Sequence, residues 1–512
     1  MSLTLAKVHH HRHSNNQSEL AILSEPKSGE ARLSSPRGLP LLGNILQMDK
    51  ALHMTFSKWA KIYGPVVQAH LATTRIAIIS DHVILRKIFA QTEYSGRPDF
   101  HSDMTSTPAE IAEMKKLYGK SAYGLSPTEG KIWEELRRFT LRQLRDFGFG
   151  KQSMEELIMV EVAELIEHLK RFEVGRKPVT DLKEMSILAV ANSLRVIVAG
   201  KRYRHDDPEL LNFTRTAEKA LQDLLENAGL LFFVPWLGKS FPRLTGYAKL
   251  KERGLEFLDS FQKPVKEHLE TYSPENIRDF IDAYIKEMKT VTDPDSPFYG
   301  KRGEKNLEAI FGDFYIGGTD TTTSMIVWMV FILSKFSEYQ EQFQNEIKSV
   351  TGNNRACQLS DKSSMPFTEA LTAETFRFAT VSPFGLQHRT TSDQELNGFL
   401  IRKDTLIFPN YYFMHHDPAI WGDPETFRPS RFLDKERKTF VKNPALIAFG
   451  TGRRVCIGES FARDSIFLFV TNLFQRFSIA IDKNGPDNGF ATETGFALVP
   501  KPFHILLKDR LE

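Results

Sequence analysis

The sequence contains little cysteine and almost no net charge, and both shortages exclude whole classes of protein. Two cysteines in 512 residues cannot build the disulfide framework of a secreted domain, so we expect a reducing, cytosol-facing environment. Lysine and arginine number 67 against 64 aspartates and glutamates, which leaves a net charge of only +3. Proteins that bind nucleic acid usually carry a larger positive excess, so we expect no nucleic-acid partner.

The chain also lacks an uninterrupted apolar run of the ~20 residues that a membrane-spanning helix needs. Its first segment, Met1–Ser35, is polar, with clustered histidines and three glutamates. This segment has no apolar centre like that of a secretory signal, and its glutamates are atypical of a mitochondrial presequence. We therefore predict a flexible polar arm over residues 1–35 and one folded domain over residues 36–512.

Hydrophobic periodicity predicts a mainly α fold with small β-sheets. Val66–Leu71 and Arg75–Ile79 are rich in β-branched residues and flank a short turn, which predicts a hairpin. From about residue 130 to 378 the dominant period is helical. Thr290–Lys305 is rich in Asp, Pro, Gly and Lys, which predicts a surface loop before a long helix over about 306–336. We expect one large helical unit with a minor β-rich amino-terminal region.

The two cysteines lie in contrasting surroundings. Cys357 has no pattern of metal-ligating neighbours, and we expect it to be inert. Cys456 lies in Phe449–Gly458 (FGTGRRVCIG), just before a predicted helix. The glycines allow a flat ligand to approach closely, while the neighbouring arginines and the helix amino end favour a thiolate. A thiolate in this setting suits the axial ligand of a haem iron. The alternative is a buried structural cysteine in a glycine-rich turn.

A second motif, Gly317–Thr322 (GGTDTT), interrupts the predicted long helix. Paired glycines followed by hydroxyl residues are poor helix formers. We therefore expect the helix to open locally, with a threonine hydroxyl diverted from the backbone ladder. In the resulting polar groove Asp320 can relay protons, and Thr321 can donate a hydrogen bond where oxygen is activated. The alternative is a seam of small residues where two helices pack.

Two further motifs place an arginine one helical turn from another functional side chain. Glu374 and Arg377 lie on a helix predicted to begin near Pro366, and their apolar neighbours predict a buried ion pair. In most proteins such a pair is solvated and contributes little. Trp133 and Arg137 bring an indole N–H and a guanidinium together in the same way.

Together these segments resemble the cytochrome P450 family, and they occur in the family's order. FGTGRRVCIG matches the haem-binding signature FxxGxRxCxG at every fixed position, and GGTDTT is similar to the oxygen-activation motif [AG]Gx[DE]T[TS]. The Glu374 helix matches ExxR, and Phe427–Phe432 would supply Arg431 as the third member of that structural triad. Ser95–Asp99 (SGRPD) and similar short segments resemble the microsomal branch, which includes steroid- and xenobiotic-oxidising enzymes, whereas Leu144–Gly150 looks most like arthropod members.

The resemblance implies a haem b cofactor, with Cys456 as its metal ligand. It implies that Thr321 and Asp320 are the catalytic residues of a P450 catalytic domain over residues 36–512. The remaining cofactor-binding residues would be Phe449, Trp133, Arg137, Arg454 and His388, with Arg389 as an alternative to His388. Substrate walls and lid segments would be Phe314, Val381–Phe384, Phe496, Phe100–Tyr123 and Leu221–Phe233.

The implied activity is the insertion of one oxygen atom of dioxygen into a lipophilic substrate, such as a sterol, terpenoid, fatty acid or xenobiotic. Electrons would come from NADPH through NADPH–cytochrome P450 reductase. Two alternatives stay open. A haem-thiolate isomerase or lyase of hydroperoxides typically lacks the acid–alcohol pair, and a non-enzymatic haem sensor has no need of a proton relay.

The polar first segment is the main departure from the microsomal pattern, whose members begin with an apolar membrane helix. A start that differs from the native one is one explanation. The other is peripheral attachment at the cytosolic face of the endoplasmic reticulum through Leu230–Leu237, an apolar stretch that also suits the end of a core helix.

Overall fold

Helices dominate the chain, as its periodicity predicts. The computed structural model describes residues 35–98, 122–149, 152–219, 234–352, 354–495 and 497–510. In chain order the helices are α1 (Leu52–Tyr63), α2 (His82–Phe89), α3 (Gly130–Asp146), α4 (Gln152–Val174), α5 (Leu182–Ala199), α6 (208–219), α7 (Pro235–Ser240), α8 (Tyr247–Thr271), α9 (Phe280–Thr290), α10 (Gly300–Tyr315), α11 (Thr321–Lys335), α12 (Ser337–Thr351), α13 (Pro366–Ala379), α14 (Tyr411–His415), α15 (Pro418–Trp421) and α16 (Glu459–Arg476).

Several expectations fall on other parts of the chain. The predicted arm up to residue 34, most of Phe100–Tyr123, all of Leu221–Phe233 and the wall residue Phe496 lie outside the described residues. The first four residues of Leu230–Leu237 also lie outside them.

The strands form one four-stranded sheet and three two-stranded ribbons. They are β1 (Val66–Leu71), β2 (Thr74–Ile79), β3 (His388–Arg389), β4 (Gln394–Leu396), β5 (Phe399–Ile401), β6 (Leu406–Pro409), β7 (Phe477–Ile481), β8 (Thr492–Thr494), β9 (Leu498–Pro500) and β10 (Ile505–Asp509). The larger sheet has the order β1-β2-β6-β3. The predicted hairpin is confirmed, with Leu71 opposite Thr74. The sheet is not purely amino-terminal, because β2 pairs in parallel with the distant β6.

The long helix occupies the centre of the molecule. Helix α10 begins at Gly300, six residues before the predicted start, so the prediction of a loop up to Lys305 is wrong. The charged residues that indicated a loop suit the exposed first turns of a helix equally well. Within the described part of the chain, Gly300–Lys335 is the one helix long and apolar enough to cross a membrane, but 72% of its apolar window is buried inside the protein. Its apolar composition is therefore explained by its place in the protein core.

A buried charge cluster joins α13 to the segment that follows α15. The Glu374 and Arg377 side chains are fully buried, and Arg377 donates to Glu374 from Nε at 2.7 Å and from Nη2 at 2.8 Å. Arg431 Nε lies 3.4 Å from Glu374 Oε1. The predicted buried pair and its third member are both confirmed. Arg377 also donates to the carbonyl oxygen of His415 at 2.9 Å, which fixes α14 to the same cluster.

Candidate functional site

The cysteine loop takes its shape from two glycines. Gly450 and Gly452 have φ values of +75° and +74°, a conformation that strains other residues. A Cβ on Gly452 would lie 2.0 Å from the carbonyl oxygen of Phe89 on α2, so the loop passes too close to that helix for any side chain. Cys456 N–H donates to the Phe449 carbonyl at 3.0 Å. The loop thereby presents Cys456 just before α16, as its sequence predicts.

Protein atoms crowd the Cys456 thiol, yet the residue keeps accessible surface. Burial raises the pKa of the Cys456 thiol; the Gly458 N–H opposes this shift, the Glu459 carboxylate adds to it, and the Arg137 guanidinium opposes it. A coordinating metal ion deprotonates a thiol outright. Cys357 differs, because its side chain is buried and burial raises its pKa to about 11, in agreement with an inert thiol.

The expected source of thiolate stabilisation needs a correction. Arg453 pairs with Glu134 on α3. Arg454 donates to the carbonyl oxygens of Ser95 at 3.0 Å and Thr128 at 2.6 Å. Both guanidinium groups are therefore engaged with partners other than the sulfur. Arg137 on α3, which donates to the Val455 carbonyl at 2.6 Å, takes over that role.

Cationic side chains converge beside the cysteine loop. The Arg454 guanidinium lies 3.9 Å from the centroid of the Trp133 ring, and the Arg137 guanidinium lies 5.7 Å from the same ring. Burial, and then the charge of Arg97, lower the pKa of Arg454 to about 8. Burial is also the largest cause lowering the pKa of Arg97 to about 10. Cations that destabilise one another in this way fit a ligand with two negative charges, such as the two propionates of haem.

Arg97 was not among the predicted site residues. It donates from Nη1 to the carbonyl oxygens of Leu386 and Gln387, both at 2.9 Å, and from Nε to Ser126 at 3.2 Å. The one sequence signal for Arg97 is its position in SGRPD, a segment that indicates the family but not the role of the arginine. A contact across almost 300 residues of chain could not be inferred from that segment alone.

His388 lies beside Arg97 and Arg454 as an uncharged ring, whereas its neighbour Arg389 is paired elsewhere. The His388 ring stacks on Phe89 with centroids 3.7 Å apart, and its Nδ1 lies 2.8 Å from the Tyr94 carbonyl, which can only accept. Burial lowers the pKa of His388 well below its usual value, so the ring is neutral. Arg389 already pairs with the carboxylates of Glu129 and Asp404.

Phe449 and Trp133 supply the flat apolar surfaces of the site. Phe449 packs edge to face against Phe376 on α13, with ring centroids 5.1 Å apart, and the Arg463 guanidinium lies 4.8 Å from the Phe449 centroid. Trp133 is 4% exposed. A thiol that can ligate iron, two aromatic rings and a group of cations together fit haem b.

The long helix opens where GGTDTT predicts. Ile316–Asp320 forms a π turn between α10 and α11, a feature that often marks functional sites. Thr321 Oγ1 donates to the Gly317 carbonyl at 2.7 Å, so the expected diversion of a threonine hydroxyl is confirmed. A Cβ on Gly317 would meet nothing within 4 Å, whereas one on Gly318 would lie 3.0 Å from Leu194 on α5. Gly317 therefore faces open space beside the π turn, whereas Gly318 lets α5 pack closely against the long helix.

Asp320 is enclosed and paired. Its Oδ1 lies 3.6 Å from Lys183 Nζ on α5. Burial raises the pKa of Asp320, while Lys183 and a hydrogen bond from the Ala497 N–H oppose that shift. A carboxyl whose pKa is raised by burial takes up a proton more readily than an exposed aspartate.

The helix face before the π turn differs from the expected one. Phe314, expected to face the substrate, packs edge to face on Phe280 of α9 with centroids 5.0 Å apart, so that expectation is wrong. A π turn adds a residue to the helical repeat, and a side chain one ordinary turn before Gly318 is thereby rotated to another face. Asp313 instead faces the neighbouring loop, where it accepts from the N–H groups of Leu125 at 2.6 Å and Ser126 at 3.0 Å.

Comparison with known proteins gives one consistent result. The protein-family model for Cytochrome P450 matches residues 33–507. Cytochrome P450 18a1 of Drosophila melanogaster is 32% identical over 486 residues, which cover 93% of this chain and 86% of the relative. Farnesoate epoxidase of Bombyx mori is 31% identical over 496 residues, and Cytochrome P450 2B2 of Rattus norvegicus is 31% identical over 497 residues; each match covers 96% of this chain and 96% of the relative.

Proposed function

Because the chain belongs to the cytochrome P450 family, we propose that it is a monooxygenase that receives electrons from NADPH through NADPH–cytochrome P450 reductase. As a member of that family it is an oxygen-incorporating oxidoreductase with haem b as its cofactor. The proposal adds the electron donor, the substrate and the roles of individual residues.

The observation that carries the proposal is the arrangement around the π turn. The Thr321 hydroxyl is held on the Gly317 carbonyl, and the neighbouring Asp320 carboxylate is paired with Lys183, whose side chain is 40% exposed. This arrangement connects the opening in the long helix to a group that solvent can reach. A hydroperoxide isomerase or a haem sensor does not consume protons in its cycle and has no use for such a connection.

In this proposal the Cys456 thiolate would ligate the haem iron, and the cationic group would hold the propionates. The haem supplies the oxygen chemistry once bound, while the protein orients the substrate and controls the protons. Asp320 takes a proton at a carboxylate oxygen and releases it into the groove. Thr321 donates a hydrogen bond from Oγ1 and exchanges its Gly317 partner for the reacting group.

We propose a lipophilic substrate, and a terpenoid acid or ester is the class to test first. The support is the similarity to Farnesoate epoxidase over 96% of both chains. One methylene more or less in an apolar pocket shifts selectivity only about 10- to 200-fold, so a sterol and a fatty acid are the classes to compare with the terpenoid. Titrating purified holoenzyme with methyl farnesoate, cholesterol and lauric acid, and recording the shift of the haem Soret band, ranks the three classes directly.

For location, we propose the cytosolic face of the endoplasmic reticulum membrane, held by exposed apolar side chains. Leu41 and Leu46 are 79% and 70% exposed, and Leu244 is 87% exposed. Microsomes from expressing cells should retain the wild type after a carbonate wash, and Leu41→Ser combined with Leu244→Ser should release more of it. Wild-type protein recovered in the soluble fraction before the wash would contradict this location.

The experiment that tests the proposed function measures NADPH consumption with the reductase, with and without substrate, in wild type and Thr321→Ala. We expect substrate to stimulate NADPH consumption in wild type, and product per NADPH to fall about 10- to 100-fold in the variant. Thr271→Ala is a matched control, because Thr271 Oγ1 donates to Glu267 at 2.7 Å in the same i−4 pattern but on α8. Electron uptake insensitive to both substrate and Thr321→Ala would contradict the proposal.

A further inference from the structure

Trp328 lies two helical turns beyond Thr321, on the same long helix. Its side chain is only 2% exposed. The indole N–H donates to the carbonyl oxygen of Leu498, at 3.0 Å, which lies 170 residues further along the chain. A buried indole N–H normally finds a partner, but this one selects a backbone group at the first residue of β9.

The residue that Trp328 holds is fixed from its other side as well. The Leu498 N–H donates to the Val381 carbonyl at 2.8 Å. Leu498 is 1% exposed and Val381 is 7% exposed, so both contacts are sheltered from water. Val381 begins the segment expected to form a substrate wall. Both backbone groups of Leu498 therefore bind elements outside its own ribbon, namely α11 and the turn after α13.

The preceding residue connects the same place to the acid. The Ala497 N–H lies beside the Asp320 carboxylate and stabilises its charged form. The bridge segment, Ala497–Leu498, thus touches the long helix at Asp320 and at Trp328, and it touches the turn at Val381. The bridge segment is therefore held at three points, two on the long helix and one on the turn after α13.

We propose that Trp328 is a positioning residue of the monooxygenase reaction, whose indole holds the bridge segment against both Asp320 and the wall at Val381. This inference rests on the proposed function. A substrate that contacts Val381 would thereby affect Asp320 through the backbone of the bridge segment. Loss of the indole N–H would leave the Leu498 carbonyl buried without its donor, so the bridge segment would move towards another partner.

The test compares Trp328→Phe with Trp421→Phe in the haem-loaded full-length protein. Trp421 is a matched control, because its indole N–H also donates to a buried carbonyl, that of Met414, at 2.9 Å, and its side chain is 4% exposed. Both variants lose the same N–H and the same ring volume. Only the first loses its contact with the bridge segment.

Two readouts separate positioning from general stability. Hydrogen exchange should accelerate about tenfold or more at the amides of Ala497 and Leu498 in Trp328→Phe, but less than twofold in Trp421→Phe. The Kd of 4-phenylimidazole, read from the Soret shift, should rise about fivefold in Trp328→Phe, while the Kd of unsubstituted imidazole stays unchanged. A merely structural role would lower the thermal midpoint of both variants and leave the ratio of the two Kd values alone.

Equal exchange rates and equal Kd ratios in the two variants would overturn the inference. Wild-type protein that binds no imidazole through iron would instead contradict the proposed function, so the two failures are distinct. If Trp328→Phe does not fold, hydrogen exchange of the wild-type protein provides the test. The amides of Ala497 and Leu498 should then exchange at least a hundredfold more slowly than those of the exposed residues 488–491, and comparable rates would overturn the inference.

Discussion

The Thr321 hydroxyl donates to the Gly317 carbonyl oxygen, 2.7 Å away, across the π turn Ile316–Asp320. The bond gives the hydroxyl a resting partner that a reacting group can replace. It also fixes the Thr321 side chain at the point where the long helix opens.

Two substitutions of Thr321 separate the effect of its hydroxyl donor from the effect of its side-chain shape. Thr321→Ser keeps the donor, so product per NADPH should remain within about threefold of wild type. Thr321→Val keeps the shape and loses the donor, so the ratio should fall about 10- to 100-fold. Product and NADPH are measured in the same reductase-supported reaction. Equal ratios in the two variants would mean that the hydroxyl does not act in the reaction.

Because the cysteine loop passes close to α2, we predict that replacing Gly452 destabilises the fold. Gly452→Ala places a Cβ 2.0 Å from a backbone oxygen and adds the strain of positive φ. We expect a loss of about 3 kcal/mol or more in the free energy of unfolding, together with weaker haem retention. Gly489→Ala is the control, since its φ is +58° but its Cβ would meet nothing within 4 Å. It should cost only about 1 kcal/mol. Similar losses in both variants, measured by urea unfolding, would refute the steric argument.

The buried triad should be sensitive to the loss of its one anion. Glu374→Gln leaves the buried Arg377 guanidinium without a charged partner, whereas Arg431 keeps its contact with Asp423. Breaking a buried pair in this way typically costs about 3 to 5 kcal/mol. Glu436→Gln removes a carboxylate from an exposed pair with Lys438, and it should cost under about 1 kcal/mol. Urea midpoints that fall equally in the two variants would contradict the assignment.

Three histidines between α1 and α14 predict an acid-labile fold. Burial is the largest cause that lowers the pKa of His53 and His416 to about 4 and that of His415 to about 3. The Ile447 N–H donates to His415 Nε2 at 3.1 Å, so that nitrogen carries no proton in the folded state.

The sign of the effect follows from the depressed values. Between pH 6.5 and about 4 the unfolded chain binds more protons at these sites than the folded one, so stability falls as the pH falls through this window. The pKa shift of His415 alone corresponds to about 3 kcal/mol or more. Urea midpoints at pH 7, 5.5 and 4.5 measure the fall, and His53→Phe should make it shallower. An unchanged slope in that variant would exclude His53 as a contributor.

Local chemistry explains which features could be predicted from sequence. The hairpin β1–β2, the opening of the long helix and the buried Glu374 pair each arise from residues within one short segment, where periodicity and propensity act directly. The fold class followed from the same patterns.

Features that depend on distant contacts could not be predicted in the same way. The pairing of β2 with β6 and the approach of Arg97 to Arg454 join segments more than 300 residues apart. The orientation of Phe314 failed for a different reason: one extra residue in the π turn rotates everything before it relative to everything after it.

The central claim is that the Cys456 sulfur is the axial ligand of haem iron, and the reduced carbon monoxide difference spectrum tests it most directly. Wild type and Cys357→Ser, the control at the other cysteine, should both show the strongly red-shifted Soret band of a thiolate-ligated haem, and Cys456→Ser should lose it. A wild-type spectrum without that band, or a Cys456→Ser spectrum that retains it, would contradict the account.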